Sequence, residues 1–237
     1  MKSNKKKKVL IGSSVVLITT GVGLLLLNDH QNDEIKDMQS EKVNYAENNS
    51  FIKQKGNYSL SAKDDSEVSI SNMNDYDSVS IPSITQLEKA NKSKNKDKVL
   101  KNAVGQINIP KLHLKLNILK GTNQTNMMYG ATTMLPNQQM GKGNYVLAGH
   151  NMKHKGILFS DLILNDKPQV KKGDVIYLTD GTHKYKYEVF STKTVHKTNT
   201  DCLNDSKDPI LTLFTCTKDD GSGTTPYRFV VQAKLVD

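Results

Sequence analysis

Three side chains able to do nucleophilic chemistry stand at the ends of apolar runs. Leu211-Thr212-Leu213-Phe214-Thr215-Cys216 reads as a buried β-strand that closes on a thiol, and the turn formers Asp219-Asp220-Gly221-Ser222-Gly223 follow it. A cysteine at the last position of a packed strand is fixed at its base and open at its tip, as a nucleophile needs to be. His150 closes Tyr145-Val146-Leu147-Ala148-Gly149-His150, and Arg228 opens the run from Tyr227 to Val236. A thiol reacts as its thiolate. An imidazole can supply a cationic neighbour or accept the thiol proton, and can later protonate a leaving amine. A guanidinium, always charged and planar, can stabilise an oxyanion. Such groups together would suit an acyl transfer, in which negative charge builds on a carbonyl oxygen.

Composition sharpens the case for Arg228. It is the one arginine among 33 basic residues. A chain so biased to lysine would supply lysine at an indifferent surface site, so the guanidinium itself is required there. The other candidates are weaker. Of six histidines, only His150 ends an apolar strand; His154 is its nearest rival, and His113, His183 and His196 alternate with polar residues and should face solvent. Cys202, Cys216 and the histidines lack close metal-ligand spacing, so no metal site is expected. A buried, inert Cys216 and a Cys202–Cys216 disulfide are the competing readings of the thiols.

The elements that must position these groups are short strands. Val104 to Ile109, Leu114 to Leu119, Tyr145 to Gly149, Val175 to Leu178, Lys184 to Val195, Leu211 to Cys216 and Tyr227 to Val236 each read as a strand, with turn residues between them. Ile157 to Ile163 reads as a short helix or turn. Many strands without helix–strand alternation predict an all-β, closed barrel.

The N-terminal part reads differently. Residues 1–8 carry five lysines and no acid, a basic tail. Val9 to Leu27 is a nineteen-residue uncharged run, long enough to cross a bilayer as a helix. It runs straight into Asn28-Asp29-His30 with no small-residue cleavage site, which favours an uncleaved anchor over a signal peptide. The lysines then lie in the cytoplasm and the remainder outside. Residues 28–80 are polar and weakly periodic, and predict a mostly disordered stalk. A catalytic domain is expected over 81–237, with its barrel from about residue 103. Ser83 offers a cap for a helix through Ile84, Leu87, Glu88 and Ala90; more stalk is the other reading.

Net charge is +9, but residues 9–100 hold ten lysines against thirteen acids, whereas residues 101–237 hold eighteen basic residues against eleven acids. No Lys/Arg run interleaves with aromatics there, so the basic part reads as a solvated surface suited to anionic envelope polymers, with no nucleic-acid partner. Aromatics at 6% with no Trp argue against a large aromatic core.

Leu147-Ala148-Gly149-His150, Thr212-Leu213-Phe214-Thr215-Cys216 and Arg228, in this order behind an anchor, resemble the sortases, membrane-anchored cysteine transpeptidases of Gram-positive cell surfaces. The resemblance implies an eight-stranded barrel. It implies that Cys216 attacks the Thr–Gly bond of an LPXTG-type sorting signal and that a peptidoglycan-precursor amine of the lipid II type resolves the thioester. His150 would be acid and base, Arg228 would hold substrate or oxyanion, and Thr215 would help with the oxyanion. An apolar groove near Ala148 and the loop from Thr198 to Pro209 would take the Leu-Pro part. An N-terminal anchor without a lid motif resembles class A, the housekeeping type. A cell-surface cysteine protease and a non-catalytic tethered binding module are the alternatives. Some class A members bind calcium through acids before the His-bearing strand, but Thr132 to Met140 holds no carboxylate. Activity is therefore expected not to respond to calcium; a several-fold loss on chelation in a peptide-cleavage assay would contradict this.

Overall fold

A computed structural model describes residues 27–45, 48, 79–152, 155–217 and 225–237. Alternation along each strand decides its architecture, because successive side chains leave a strand on opposite faces. The strands are β1 (Ala103–Ile109), β2 (Leu114–Leu119), β3 (Gly130–Thr133), β4 (Asn144–Ala148), β5 (Ile163–Leu164), β6 (Lys167–Pro168), β7 (Val175–Thr179), β8 (Lys184–His196), β9 (Ile210–Cys216) and β10 (Tyr227–Leu235). Eight of them close a barrel in the order β1-β2-β3-β4-β9-β10-β8-β7; β5 and β6 form a separate two-stranded ribbon. Closure is made where Gln106, Ile107 and Asn108 pair with Thr179, Leu178 and Tyr177. The interior is filled by alternate residues, among them Ile107, Leu116, Leu147, Leu213, Phe229 and Val231. The expected all-β, eight-stranded barrel is therefore present.

One barrel strand has no counterpart in the seven read from the sequence. β3 is four residues long, Gly-Ala-Thr-Thr, too short for alternation to register. It runs parallel to β2, with Asn117, Ile118 and Leu119 opposite Gly130, Ala131 and Thr132. A parallel neighbour needs a crossover, and the helix Gln124–Tyr129, capped by the Asn123 side chain on the Asn126 amide at 2.9 Å, makes it. Gly130 is required where the crossover rejoins the sheet: a Cβ there would collide with the Asn117 carbonyl.

A second apolar cluster lies outside the barrel, and it corrects the stalk. The segment over 27–40, expected as disordered, is a helix that buries Ile35 and Met38 against Leu87, Tyr129, Met152, Ile157 and Leu158. The polar sequence hides it, since only two apolar positions three apart face inward. The chain beyond is tied to the barrel as well: Tyr45 Oη donates to Asn117 Oδ1 at 2.7 Å, and Asn48 Nδ2 donates to the carbonyls of Leu100 and Ala103. The rest of the expected stalk up to residue 78, the basic tail 1–8 and the anchor 9–27 apart from Leu27 lie outside the described residues. Among the described residues no helix is long and apolar enough to cross a membrane.

The helix expected after Ser83 forms as Ile84–Asn91 and buries Leu87 and Ala90. Ser83 Oγ accepts from the Gln86 amide at 3.2 Å, and Gln86 Oε1 accepts from the Ser83 amide at 2.7 Å. The reciprocal pair satisfies two amides that a helix start leaves unbonded. The helix ends at Asn91, and a second short helix, Lys96–Leu100, follows and buries Val99 and Leu100. Replacing Ser83 by Ala is expected to lower unfolding free energy by about 1 kcal/mol in urea titration, with peptide turnover unchanged.

Candidate active site

β9 sets the site because it is paired on both edges. On one side it runs antiparallel to β10, with Cys216 directly opposite Arg228. Directly opposed residues point to the same face with Cβ atoms about 5 Å apart. On the other side β9 runs parallel to β4, with Leu147 opposite Leu213 and Ala148 opposite Phe214. Two residues beyond that last pair, on each chain, stand His150 and Cys216. The ladder continues one step further, the Gly149 amide donating to the Phe214 carbonyl at 3.2 Å. The C-terminal ends of β4 and β9 and the start of β10 thus bring Cys216, His150 and Arg228 to one rim of the barrel.

Parity fixes which face they take. Leu211 and Leu213 point into the barrel core. Phe214 points outward, where it joins Met127, Met134, Val146, Ala148, Leu135, Leu203 and Val79 in an apolar cluster on the barrel's outer face. Cys216 shares the parity of Phe214 and is half-buried. Ala148 thus lies in an apolar cluster on the outer face. The loop from Thr198 to Pro209 reaches it through Leu203, at the end of the 3-10 turn Asp201–Leu203.

That loop is held by a residue the sequence analysis passed over. Asn144, buried at the start of β4, donates from Nδ2 to the carbonyls of Cys202 at 2.9 Å and Asn204 at 2.8 Å, and its Oδ1 accepts from Thr212 Oγ1 at 2.8 Å. These two carbonyls flank Leu203. Nothing local marks an asparagine as a tether of this kind. Cys202, for which no role was argued, is buried, its thiol pKa pushed up by burial, and it serves the tether through its backbone. Neither cysteine is in a disulfide.

The chain leaving His150 is bound back onto the barrel. The Phe159 amide donates to the His150 carbonyl at 3.0 Å, Asn151 bridges to Leu158, and Asn151 Nδ2 donates to the Cys216 carbonyl at 3.1 Å. Gly149 is needed because Phe159 lies on it: a Cβ there would sit 2.6 Å from Phe159 Cδ2. Thr215 faces the core side of β9, and its hydroxyl donates to the Gly149 carbonyl at 2.7 Å. Thr215, expected to help with the oxyanion, thus has its hydroxyl engaged in fastening β9 to the approach to His150.

His150 is only 4% exposed, and its Nε2 is buried with no hydrogen-bond partner among the described residues. A buried polar atom in that state carries a desolvation cost, and a site that receives a polar group from a ligand offsets it. Burial also pulls the imidazole pKa down to about 4, so the ring is neutral at pH 7 and can accept a proton. Arg228 Nη1 donates to the carbonyls of Thr225 at 2.7 Å and Tyr227 at 3.0 Å, which orient the guanidinium from its own strand's lead-in. His113, His183 and His196 are exposed, and His154 lies outside the described residues. No three His, Cys, Asp or Glu side chains among the described residues converge as metal ligands would.

The low pKa of His150 has a measurable consequence. Its folded value, about 4, lies below its ordinary value of 6.5. Between the two the unfolded chain holds a proton that the folded chain rejects, so acidification through this window favours unfolding by about 1.4 kcal/mol per pH unit, on the order of 3 kcal/mol in all. Above the upper value this group contributes no pH dependence. Urea titrations from neutral pH down to about pH 4 should show the decline, and His150→Gln should flatten it.

The sortase domain family matches residues 107–236. The chain is similar to sortase A of Listeria monocytogenes, with 42% identity over 161 residues, 68% of this chain and 67% of that protein. It is similar to sortase A of Bacillus anthracis, with 41% identity over 151 residues, 63% of this chain and 65% of that protein. The match thus spans about two thirds of the length of these relatives. A solved structure of Listeria monocytogenes sortase A aligns with a TM-score of 0.52 at 43% identity, over 57% of this chain and 88% of that one. The matched domain runs from within β1 to the residue after β10 and contains the rim on which Cys216, His150 and Arg228 stand. On that ground the chain belongs to the sortase family of cysteine transpeptidases, in class A.

Proposed function

We propose that the protein joins surface proteins carrying an LPXTG-type signal to a peptidoglycan-precursor amine of the lipid II type, at the outer face of the membrane that residues 9–27 would anchor it to. The observation that carries this reading is the pairing of Cys216 with Arg228 across β9 and β10, beside the end of the strand that leads to His150.

The Cys216 sulfur adds to the carbonyl carbon between Thr and Gly of the signal, its proton passing to the neutral His150 imidazole. Negative charge develops on the carbonyl oxygen, where Arg228 donates; one fixed donor at such a position contributes roughly 3–4 kcal/mol. The C–N bond breaks as His150 returns the proton to the departing glycine amine, leaving a thioester on Cys216. The acceptor amine then attacks the thioester carbonyl, loses a proton to His150, and leaves as an amide while the thiol is restored. The Leu-Pro part of the signal fits the outer cluster around Ala148, Val146 and Phe214, with Leu203 as its wall on the side of the tethered loop. Thr215 contributes to the oxyanion site through its place beside the nucleophile, since its hydroxyl is engaged with Gly149. Calcium has no part in this reading, because the segment entering the His-bearing strand offers no carboxylate.

The test is mass spectrometry of the purified chain in detergent after mixing with an LPXTG peptide. An adduct ending at the threonine is expected on Cys216, and added glycine-type amine should convert product from acid to amide. Arg228→Lys should lower kcat by about 10²–10³-fold, since an ammonium cannot reproduce the planar donor pair. Turnover that survives Cys216→Ala would overturn the reading, and acid product unaffected by the amine would make the protein a protease.

A further inference from the structure

The helix over 27–40 does more than fill a surface. It lies on the loop between His150 and Phe159, and the contacts are specific. Gln39 is fully buried in a segment otherwise rich in exposed charge. Its Oε1 accepts from the Leu158 amide at 3.2 Å, and its Nε2 donates to the Met128 carbonyl at 3.3 Å. Leu158 has φ +50°, a left-handed conformation that a branched side chain adopts only when its surroundings impose it. Its side chain is buried in the cluster that Ile35 and Met38 of the helix complete.

Leu158 in turn governs the histidine. It bridges to Asn151, the residue after His150, and the next amide, that of Phe159, donates to the His150 carbonyl. The Phe159 ring rests on Gly149, the residue before His150. The loop is covered from the helix a second time at Gly156, where a Cβ would lie 2.5 Å from Lys36 Cε; the Gly156 amide donates to the buried Asp161 carboxylate at 2.8 Å.

We propose that this N-terminal helix is a working part of the transpeptidase: it braces the loop that seats His150, and Gln39 is the positioning residue. The proposal rests on the reading of His150 as acid and base. Gln39 touches neither substrate nor reacting atoms; it acts by holding Leu158 in the one conformation that presents the Asn151 bridge and the Phe159 amide together. A loop released from the helix admits water to the histidine and lets the ring leave its place beside Cys216. The segment between anchor and barrel is then a source of catalytic geometry, where a spacer would contribute only distance.

The experiment uses the full chain in detergent and two variants. Gln39→Met keeps size and helix propensity but removes both hydrogen bonds. Lys36→Ala uncovers Gly156 from a side chain that is 41% exposed and outside the core. Gln39→Met is expected to lower kcat for the LPXTG peptide by about tenfold with KM within about twofold, a loss of alignment without loss of binding. The His150 imidazole, followed by NMR, should titrate at about 4 in the parent chain and move towards 6.5 in the variant. Lys36→Ala should move both in the same direction by less. If Gln39→Met does not fold, Lys36→Ala decides. A folded variant with parent kcat and parent His150 titration, whatever its melting temperature, overturns the brace. A parent chain that does not turn over the peptide counts against the proposed reaction, while the titration still judges the brace.

Discussion

Two-sided pairing of β9 is the constraint on which the site depends. A strand hydrogen-bonded on both edges cannot slide relative to either neighbour without losing a ladder, and a slip by one residue would turn Cys216 into the core. The antiparallel edge sets Cys216 opposite Arg228. The parallel edge brings the end of β4 alongside the end of β9. A thiol on an edge strand or a loop would lack both references. The barrel is thus a device for holding three chain ends in register, and its core of alternating aliphatic residues supplies the stiffness.

Polar side chains then lock what the ladders leave loose. Thr215 fastens Gly149, Asn151 reaches the Cys216 carbonyl, Asn144 tethers the loop that carries Leu203, and Gln39 meets Leu158. All four are buried. Each has partners, because a buried polar group without one is costly. His150 Nε2 departs from this pattern among the described residues of the rim. Local rules fail most often where function needs them to, and here the failure falls on the atom that exchanges a proton with the substrate in the proposed reaction.

Charge is placed with the same economy. Lysines cover the barrel's exterior, where a flexible, well-hydrated cation suffices. The guanidinium appears once, opposite the thiol, oriented by the carbonyls of Thr225 and Tyr227. A lysine there would be free to turn towards water, whereas a planar fork anchored at one nitrogen keeps its other donors aimed.

The strands with clear alternation, from β1 and β2 to β9 and β10, were legible in the sequence, and Cys216, His150 and Arg228 could be singled out as candidates, because strand period and side-chain chemistry are local properties of the chain. The cap at Ser83 was legible in part for the same reason. β3 was not, since four residues carry no period. The helix over 27–40 was missed because two inward apolar residues in a polar segment do not declare themselves. Nothing local tells that the Thr215 hydroxyl is engaged with Gly149, that Asn144 holds the loop over the outer cluster, or that Gln39 reaches across more than a hundred residues to Leu158. Those facts belong to register and to hydrogen-bond partners distant along the chain, which exist only once the barrel has closed. Residue types and their periods thus determined which groups could react and that strands would carry them; the folded chain decided which groups meet, because pairing between remote segments is a property of the closed sheet and of nothing shorter.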